Sequence, residues 1–227
     1  MEQIKYTPLT RNSKEAVLDV KNNVIITNWH DKIQPEGLLV HKSDYYVAYD
    51  KARRKEAIFH LRDKYNPVSE WHDVIYHDGL VDGESDFYIA HCLRGKYHSF
   101  KSAIFHKDNK LKPISQWHDV ILPNGLVEGK SKYYIAWDSN NNQAIYCYEN
   151  GKNKLISKRL TIIFKYGLIE GESDYYMVYD QTKEKKFAIF HVNNPRKPVT
   201  GWHDKSVLKE TIKNVSQAIL NVNNKNN

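Results

Sequence analysis

The sequence predicts an all-β protein of four tandem three- to four-stranded repeats, β-propeller-like, with one amphipathic helix at the C-terminal end. Three observations carry this. The tripeptide Trp-His-Asp occurs four times, beginning at Trp29, Trp71, Trp117 and Trp202, and a fifth place in the same rhythm holds Arg159-Leu160-Thr161. The period is 42 to 46 residues, the length of a propeller blade. Between turns, the segments are too short for helices and rich in β-branched and aromatic residues, with 16 tyrosines against 7 phenylalanines.

Each unit repeats one order of elements. Eight residues after each unit's start stands a glycine followed by leucine: Gly37-Leu38, Gly79-Leu80, Gly125-Leu126 and Gly167-Leu168. Cassettes such as Gly-Leu-Val-Glu-Gly suggest a short extra strand. Six residues after the glycine comes Ser43, Ser85, Ser131 or Ser173, which with Asp44, Asp86 or Asp174 suits a turn. The central strand follows, as in Tyr45-Tyr46-Val47-Ala48 and its equivalents. Small residues there (Ala48, Ala90, Ala136) suggest close approach to a neighbouring sheet. After a polar loop comes Ala-Ile-Phe-His, at Ala57, Ala103 and Ala188, with Ala144-Ile145-Tyr146-Cys147 in the third unit. The next Trp-His-Asp then closes the unit. Asn150-Gly151 reads as a hairpin turn.

Residues 1–23 read as an N-terminal arm with a short helix starting after Ser13 (Lys14-Glu15-Ala16-Val17-Leu18). Residues 24–204 form the array, with a closing strand and then units starting near 29, 71, 117 and 159. In residues 205–222, Leu208, Ile212, Val215, Ile219 and Val222 recur at helical spacing. Residues 223–227 read as a disordered tail. Five closing segments against four cassettes leave two architectures open, a ring and an open β-repeat stack.

The net charge of +7 permits anionic partners without demanding them. No stretch reaches the roughly 18 apolar residues of a membrane span. The N-terminus lacks the apolar core of a signal peptide, and the two cysteines fall at non-equivalent points of the repeat, so a disulfide framework is not expected. A cytoplasmic, reduced setting is the expectation.

Several sites invite chemistry. His beside Asp in Trp-His-Asp could bind metal or move protons, but neighbours in a strand point to opposite faces, and four copies suit architecture better than an active site. Trp29, Trp71, Trp117 and Trp202 read as structural anchors. His60, His106, Cys147 and His191 occupy one repeat position and are metal-competent, although a strand end before a charged turn explains them as well. Length varies mostly between the central strand and Ala-Ile-Phe-His. These loops carry Arg53, Arg54 and Lys55, then Arg94, Lys96 and Lys101, then Lys183, Lys185 and Lys186. Sharing one rim, they would attract a polyanion. No nucleophile–base set, phosphate loop or zinc spacing stands in the sequence, so no catalytic residue and no cofactor is assigned.

The order of features resembles the short β-repeats called WG repeats. The matching pieces are Gly125-Leu126-Val127, Tyr134-Ile135-Ala136-Trp137-Asp138, Pro113-Ile114-Ser115 and Trp117-His118-Asp119-Val120-Ile121. The likeness covers residues 24–204. The chain departs from the family in lacking its Trp-Gly pair and in having longer units. The resemblance implies a propeller-like array used for binding rather than catalysis. The expectation is a non-enzymatic module for a protein partner. The alternatives are polyanion or nucleic-acid binding through basic loops, and an uncharacterised enzyme or metal-binding protein. The sequence sets no oligomeric state.

Overall fold

The computed structural model describes residues 5–94, 99–157, 162–183 and 186–204. Two compact units divide the chain: residues 1–123 with 127–129, and residues 124–126 with 130–227. The described strands form five small antiparallel sheets, and the protein is all-β with propeller-like repeats.

In the first unit, Tyr6–Arg11 (β1), Lys14–Asp19 (β2) and Val24–Ile25 (β3) form one sheet. Lys32–Gln34 (β4), Tyr45–Asp50 (β5) and Lys55–His60 (β6) form the next, with a one-turn helix, Glu36–Leu39 (α1), between β4 and β5. Val74–Ile75 (β7), Phe87–Arg94 (β8) and Ser99–His106 (β9) form the third, and Val120–Ile121 (β10) follows. The second unit contains the meander Tyr133–Trp137 (β11), Gln143–Glu149 (β12) and Lys152–Leu155 (β13). It also contains Ile162–Ile163 (β14), Tyr175–Asp180 (β15) and Lys186–His191 (β16).

Residues 14–18 are strand β2, not the short helix expected in the N-terminal arm. A two-residue turn at Asn12 and Ser13, both at positive φ (51° and 58°), folds β1 onto β2. Ala16 and Val17 are adjacent and both buried, so the segment is covered on both faces and carries no helical stripe. Lys14-Glu15-Ala16-Val17-Leu18 repeats Lys55-Glu56-Ala57-Ile58-Phe59 position by position. The array therefore has a fifth sheet that begins inside residues 1–23. This accounts for five closing segments against four cassettes.

The Gly-Leu cassettes are not short strands: the first lies in the one-turn helix α1 and the other three are turns. Gly79 sits at φ +83°, and Leu80 N–H returns to the Phe87 carbonyl at 2.8 Å. An added Cβ on Gly79 would stand 2.3 Å from the Phe87 oxygen and 2.8 Å from the Val127 oxygen. Only glycine permits that approach.

The core lies between successive sheets. On one face of the second sheet, Tyr46, Ala48, Ala57 and Phe59 pack with Val17, Tyr6 and Ile26 of the first. On the other face, Val47 and Ile58 pack with Tyr88, Ala90, Ala103 and Phe105 of the third. Small alanines at the strand centres let the sheets close up, as their repetition suggested. Both faces are covered, so these strands carry no alternation of buried and wet sides.

The Asn150-Gly151 turn connects β12 and β13, with both residues at positive φ (53° and 72°). The expected helix over residues 205–222 and the tail 223–227 lie outside the described residues. Among the described residues, no helix is long and apolar enough to cross a membrane.

Candidate functional site

Trp-His-Asp is the step from one sheet to the next, and its three residues have different tasks. The histidine backbone closes the outer edge of the preceding sheet. His72 exchanges two hydrogen bonds with Glu56 (2.8 and 2.9 Å), and His30 with Glu15, His118 with Ser102 and His203 with Phe187 do the same. The histidine ring turns inward. His72 packs 4.8 Å from Phe105 and 6.2 Å from Tyr88, and His30 meets Phe59 and Tyr46 similarly. Burial pushes the His30, His72 and His118 imidazoles down to about 4, so the rings are neutral near pH 7. A base this weak is a poor proton carrier at neutral pH.

The aspartate works in the following sheet. Asp31 Oδ2 accepts the Lys51 N–H at 2.8 Å, and Asp73 Oδ2 accepts the Leu93 N–H at 2.7 Å, each at the start of a variable hairpin. Asp119 takes the ammonium of Lys101 instead. Tryptophan packs edge-on against the preceding sheet: Trp71 on Phe59, Trp117 on Phe105 and Trp202 on Phe190.

Two further repeated side chains escaped sequence reading. The residue two places before each tryptophan position carries a hydroxyl that accepts a strand N–H. The pairs are Thr27 with Val17 (2.9 Å), Ser69 with Ile58 (2.9 Å), Ser115 with Ile104 (2.9 Å), Ser157 with Ile145 (2.8 Å) and Thr200 with Ile189 (3.0 Å). The rule holds in all five sheets, including the one whose Trp-His-Asp is degenerate. The residue before the alanine of the third strand also recurs. Glu15, Glu56 and Gln143 accept the N–H of Ile33, Ile75 and Ile163 through their side chains.

The serine of each of the first three cassettes is a clamp between sheets. Ser85 Oγ donates to the Val127 carbonyl at 2.5 Å and Ser131 Oγ to Ile169 at 2.7 Å, and Ser43 does so to Val81. Behind it, Asp86 pairs with Lys107 at 2.8 Å. The third cassette reverses the polarity, with Lys132 pairing to Glu149 at 2.5 Å. The two departures of that unit thus compensate each other.

Three of the metal-competent positions are taken up by local contacts. Nδ1 of His60, His106 and His191 accepts the N–H two residues on, at Arg62, Asp108 and Asn193 (3.0 to 3.2 Å). Each ring packs edge-on against Tyr45, Phe87 or Tyr175. Cys147 is buried, which pushes its thiol up. Among the described residues, no three His, Cys, Asp or Glu side chains group as ligands.

The basic hairpins are partly neutralised by their own acids. The Arg53 guanidinium lies 4.6 Å over the Trp71 ring and 3.7 Å from Asp50. Lys101 is held by Asp119. Arg54 takes positive φ (55°) at the tip, and Lys55 starts β6 opposite Asp50. Arg94 ends β8. Lys183 turns the hairpin before Lys186, which pairs with Asp180 in register. Lys96 and Lys185 lie outside the described residues. In the first unit, an open groove of about 570 Å³ lies elsewhere on the surface, at the cassette end, lined by Asp44, Glu84, Asp86, Lys42 and Tyr45.

No family model matches the chain, and no curated protein matches it. Solved structures give distant likenesses. One is Kluyveromyces lactis Hsv2, at 10% identity and TM-score 0.38, covering 87% of this chain and 60% of that one. Another is the WD40 domain of Toxoplasma gondii coronin, at 13% identity and TM-score 0.36, covering 81% and 49%. A third is the β-propeller domain of the Trilobed protease from Pyrococcus furiosus, at 9% identity and TM-score 0.43, covering 89% and 67%. The chain thus spans about 60% of the length of the first of these.

Proposed function

We propose that this chain is a non-enzymatic β-repeat scaffold that binds a protein partner through its variable hairpins. The observation that carries the reading is a division of labour. The repeated tryptophan, histidine, aspartate, serine and hydroxyl side chains are engaged in holding sheets together, whereas hairpin length and chemistry change from unit to unit. Residues 51–54 are all exposed and stand on an aspartate-pinned base. Rigid strands presenting dissimilar loops are a usual arrangement for recognition. The resemblance to WG repeats supports the same reading.

The test is affinity capture with the full chain beside a variant whose residues 51–54 are replaced by Ser-Gly-Asn-Gly. A partner recovered by the parent and lost by the equally stable variant is the expected result. Equal recovery by both removes the hairpin from the interface.

Exposed Arg54 and its neighbours support polyanion binding as the second reading. Retention on heparin above 0.3 M salt (on the order of twice physiological ionic strength) and its loss in Arg54→Ala would favour it. Elution near physiological salt would not.

A further inference from the structure

Within the first compact unit, a small cavity opens between the first two sheets, beside the hairpin of residues 51–54. Its volume is about 200 Å³. That is below the roughly 300–1,000 Å³ of small-molecule sites and suits a single side chain. The walls are aromatic and acidic. Trp29, Trp71 and Tyr49 line it with the carboxylates of Asp31 and Asp50, and Lys14 is the one cationic residue on the wall. Lys14 stands 3.5 Å from Asp31, which leaves Asp50 without that ammonium as its partner.

Two of the lining residues, Trp71 and Asp50, already hold a cation. Arg53 places its guanidinium 4.6 Å from the centre of the Trp71 ring and 3.7 Å from Asp50 Oδ2, while its side chain remains 56% exposed. Asp50 divides its two oxygens. Oδ1 accepts the Arg53 backbone N–H at 2.9 Å and belongs to the turn. The equivalent Asp138 and Asp180 cap their own turns in the same way. Oδ2 faces the guanidinium and is outside that duty. An indole face with a carboxylate at its edge matches a planar guanidinium, which stacks and hydrogen-bonds at once. Arg53 reaches these groups from the exposed hairpin of residues 51–54.

We propose that this cavity receives an arginine side chain of a protein partner, with Trp71 as the stacking face and Asp50 as the anion, and that Arg53 is the internal competitor for both. The proposal rests on the protein-binding reading above and names the chemistry that one of its contacts recognises.

The experiment titrates the full chain with N-acetyl-arginine methylamide and follows the tryptophan indole N–H signals by NMR. Trp71→Phe assigns the Trp71 signal. N-acetyl-citrulline methylamide, of the same shape without charge, is the control. Saturable movement of the Trp71 signal with the arginine probe and none with citrulline is expected. Arg53→Ala should bind at least fivefold more tightly, because the competitor is gone. Asp50→Asn keeps the turn acceptor and should bind at least fivefold more weakly than the parent. The remaining indole signals report that each variant is folded. Binding seen only in Arg53→Ala also supports the proposal. No saturable shift in Arg53→Ala, or equal response to citrulline, overturns it. The titration needs no partner, so a silent cavity beside a hairpin-dependent partner would overturn this assignment alone.

Discussion

The indole of Trp71 meets the Phe59 ring edge-on, with centroids 6.1 Å apart and planes at 70°. Trp117 on Phe105 (6.0 Å, 71°) and Trp202 on Phe190 (6.2 Å, 71°) repeat the geometry almost unchanged. A contact reproduced this closely across sheets is part of how each outer edge is held, and it explains why Trp-His-Asp begins with the largest side chain.

Removing that anchor should weaken the first unit. Trp117→Ala is expected to lose roughly 3 kcal/mol of unfolding free energy, the lower end of large-to-small changes because Trp117 is only partly buried. Urea titration followed by circular dichroism measures it. A loss below about 1 kcal/mol would contradict the anchoring role.

The recurring hydroxyl makes a sharper test. Ser69→Ala leaves the buried Ile58 N–H without its acceptor and should cost about 1–3 kcal/mol. Ser69→Thr should be close to neutral, since Thr27 and Thr200 already fill the same place. Equal effects of the two substitutions in thermal melts would argue against the hydrogen bond as the reason.

Two glycines separate backbone strain from contact. Gly79→Ala meets carbonyl oxygens at 2.3 and 2.8 Å as well as a positive φ, and should prevent stable folding of its sheet or cost more than about 3 kcal/mol. Gly151 has the same sign of φ with open space around it, so Gly151→Ala should cost only about 1 kcal/mol. Comparable melting temperatures for the two variants would mean the close approach at Gly79 is not needed.

Acid should destabilise the array through its inward-facing histidines. An unfolded imidazole titrates near 6.5, whereas His72 in the folded chain does so at about 4, because burial disfavours its charge. Between these values the unfolded chain binds the proton and the folded chain does not. The contribution is therefore complete above about pH 6.5 and is lost as the pH falls towards 4, on the order of 3 kcal/mol for one histidine. His72→Gln should flatten the dependence of the urea midpoint on pH across that window. An unchanged slope would remove His72 as a cause.

Much of the array was legible in the chain because its punctuation is local. Glycine, the tyrosine pairs and Asn150-Gly151 act through nearby backbone geometry, so strand order and turn positions could be read from spacing. The first sheet was missed for a physical reason. Lys14-Glu15-Ala16-Val17-Leu18 lacks the tyrosine pair and the glycine cassette, and five such residues in isolation suit a helix as well as a strand. Its likeness to Lys55-Glu56-Ala57-Ile58-Phe59 was the available signal, as was the hydroxyl two places before each tryptophan position.

By itself the sequence determined that this is a β-repeat protein and where the strands and hairpins of the tyrosine-paired units lie, and it favoured an architectural role for Trp-His-Asp. Only the tertiary structure decided which sheet each of its residues serves. His72 closes one sheet while Asp73, its neighbour, pins the hairpin of the next, and the Ser85–Val127 bond joins residues 42 positions apart. The same holds for charge. Arg53 and Lys101 read as free cations along the chain, but folding brings Asp50 with Trp71, and Asp119, against them. Local periodicity is set by neighbours in sequence, whereas partnership across sheets depends on packing that no short window of residues contains.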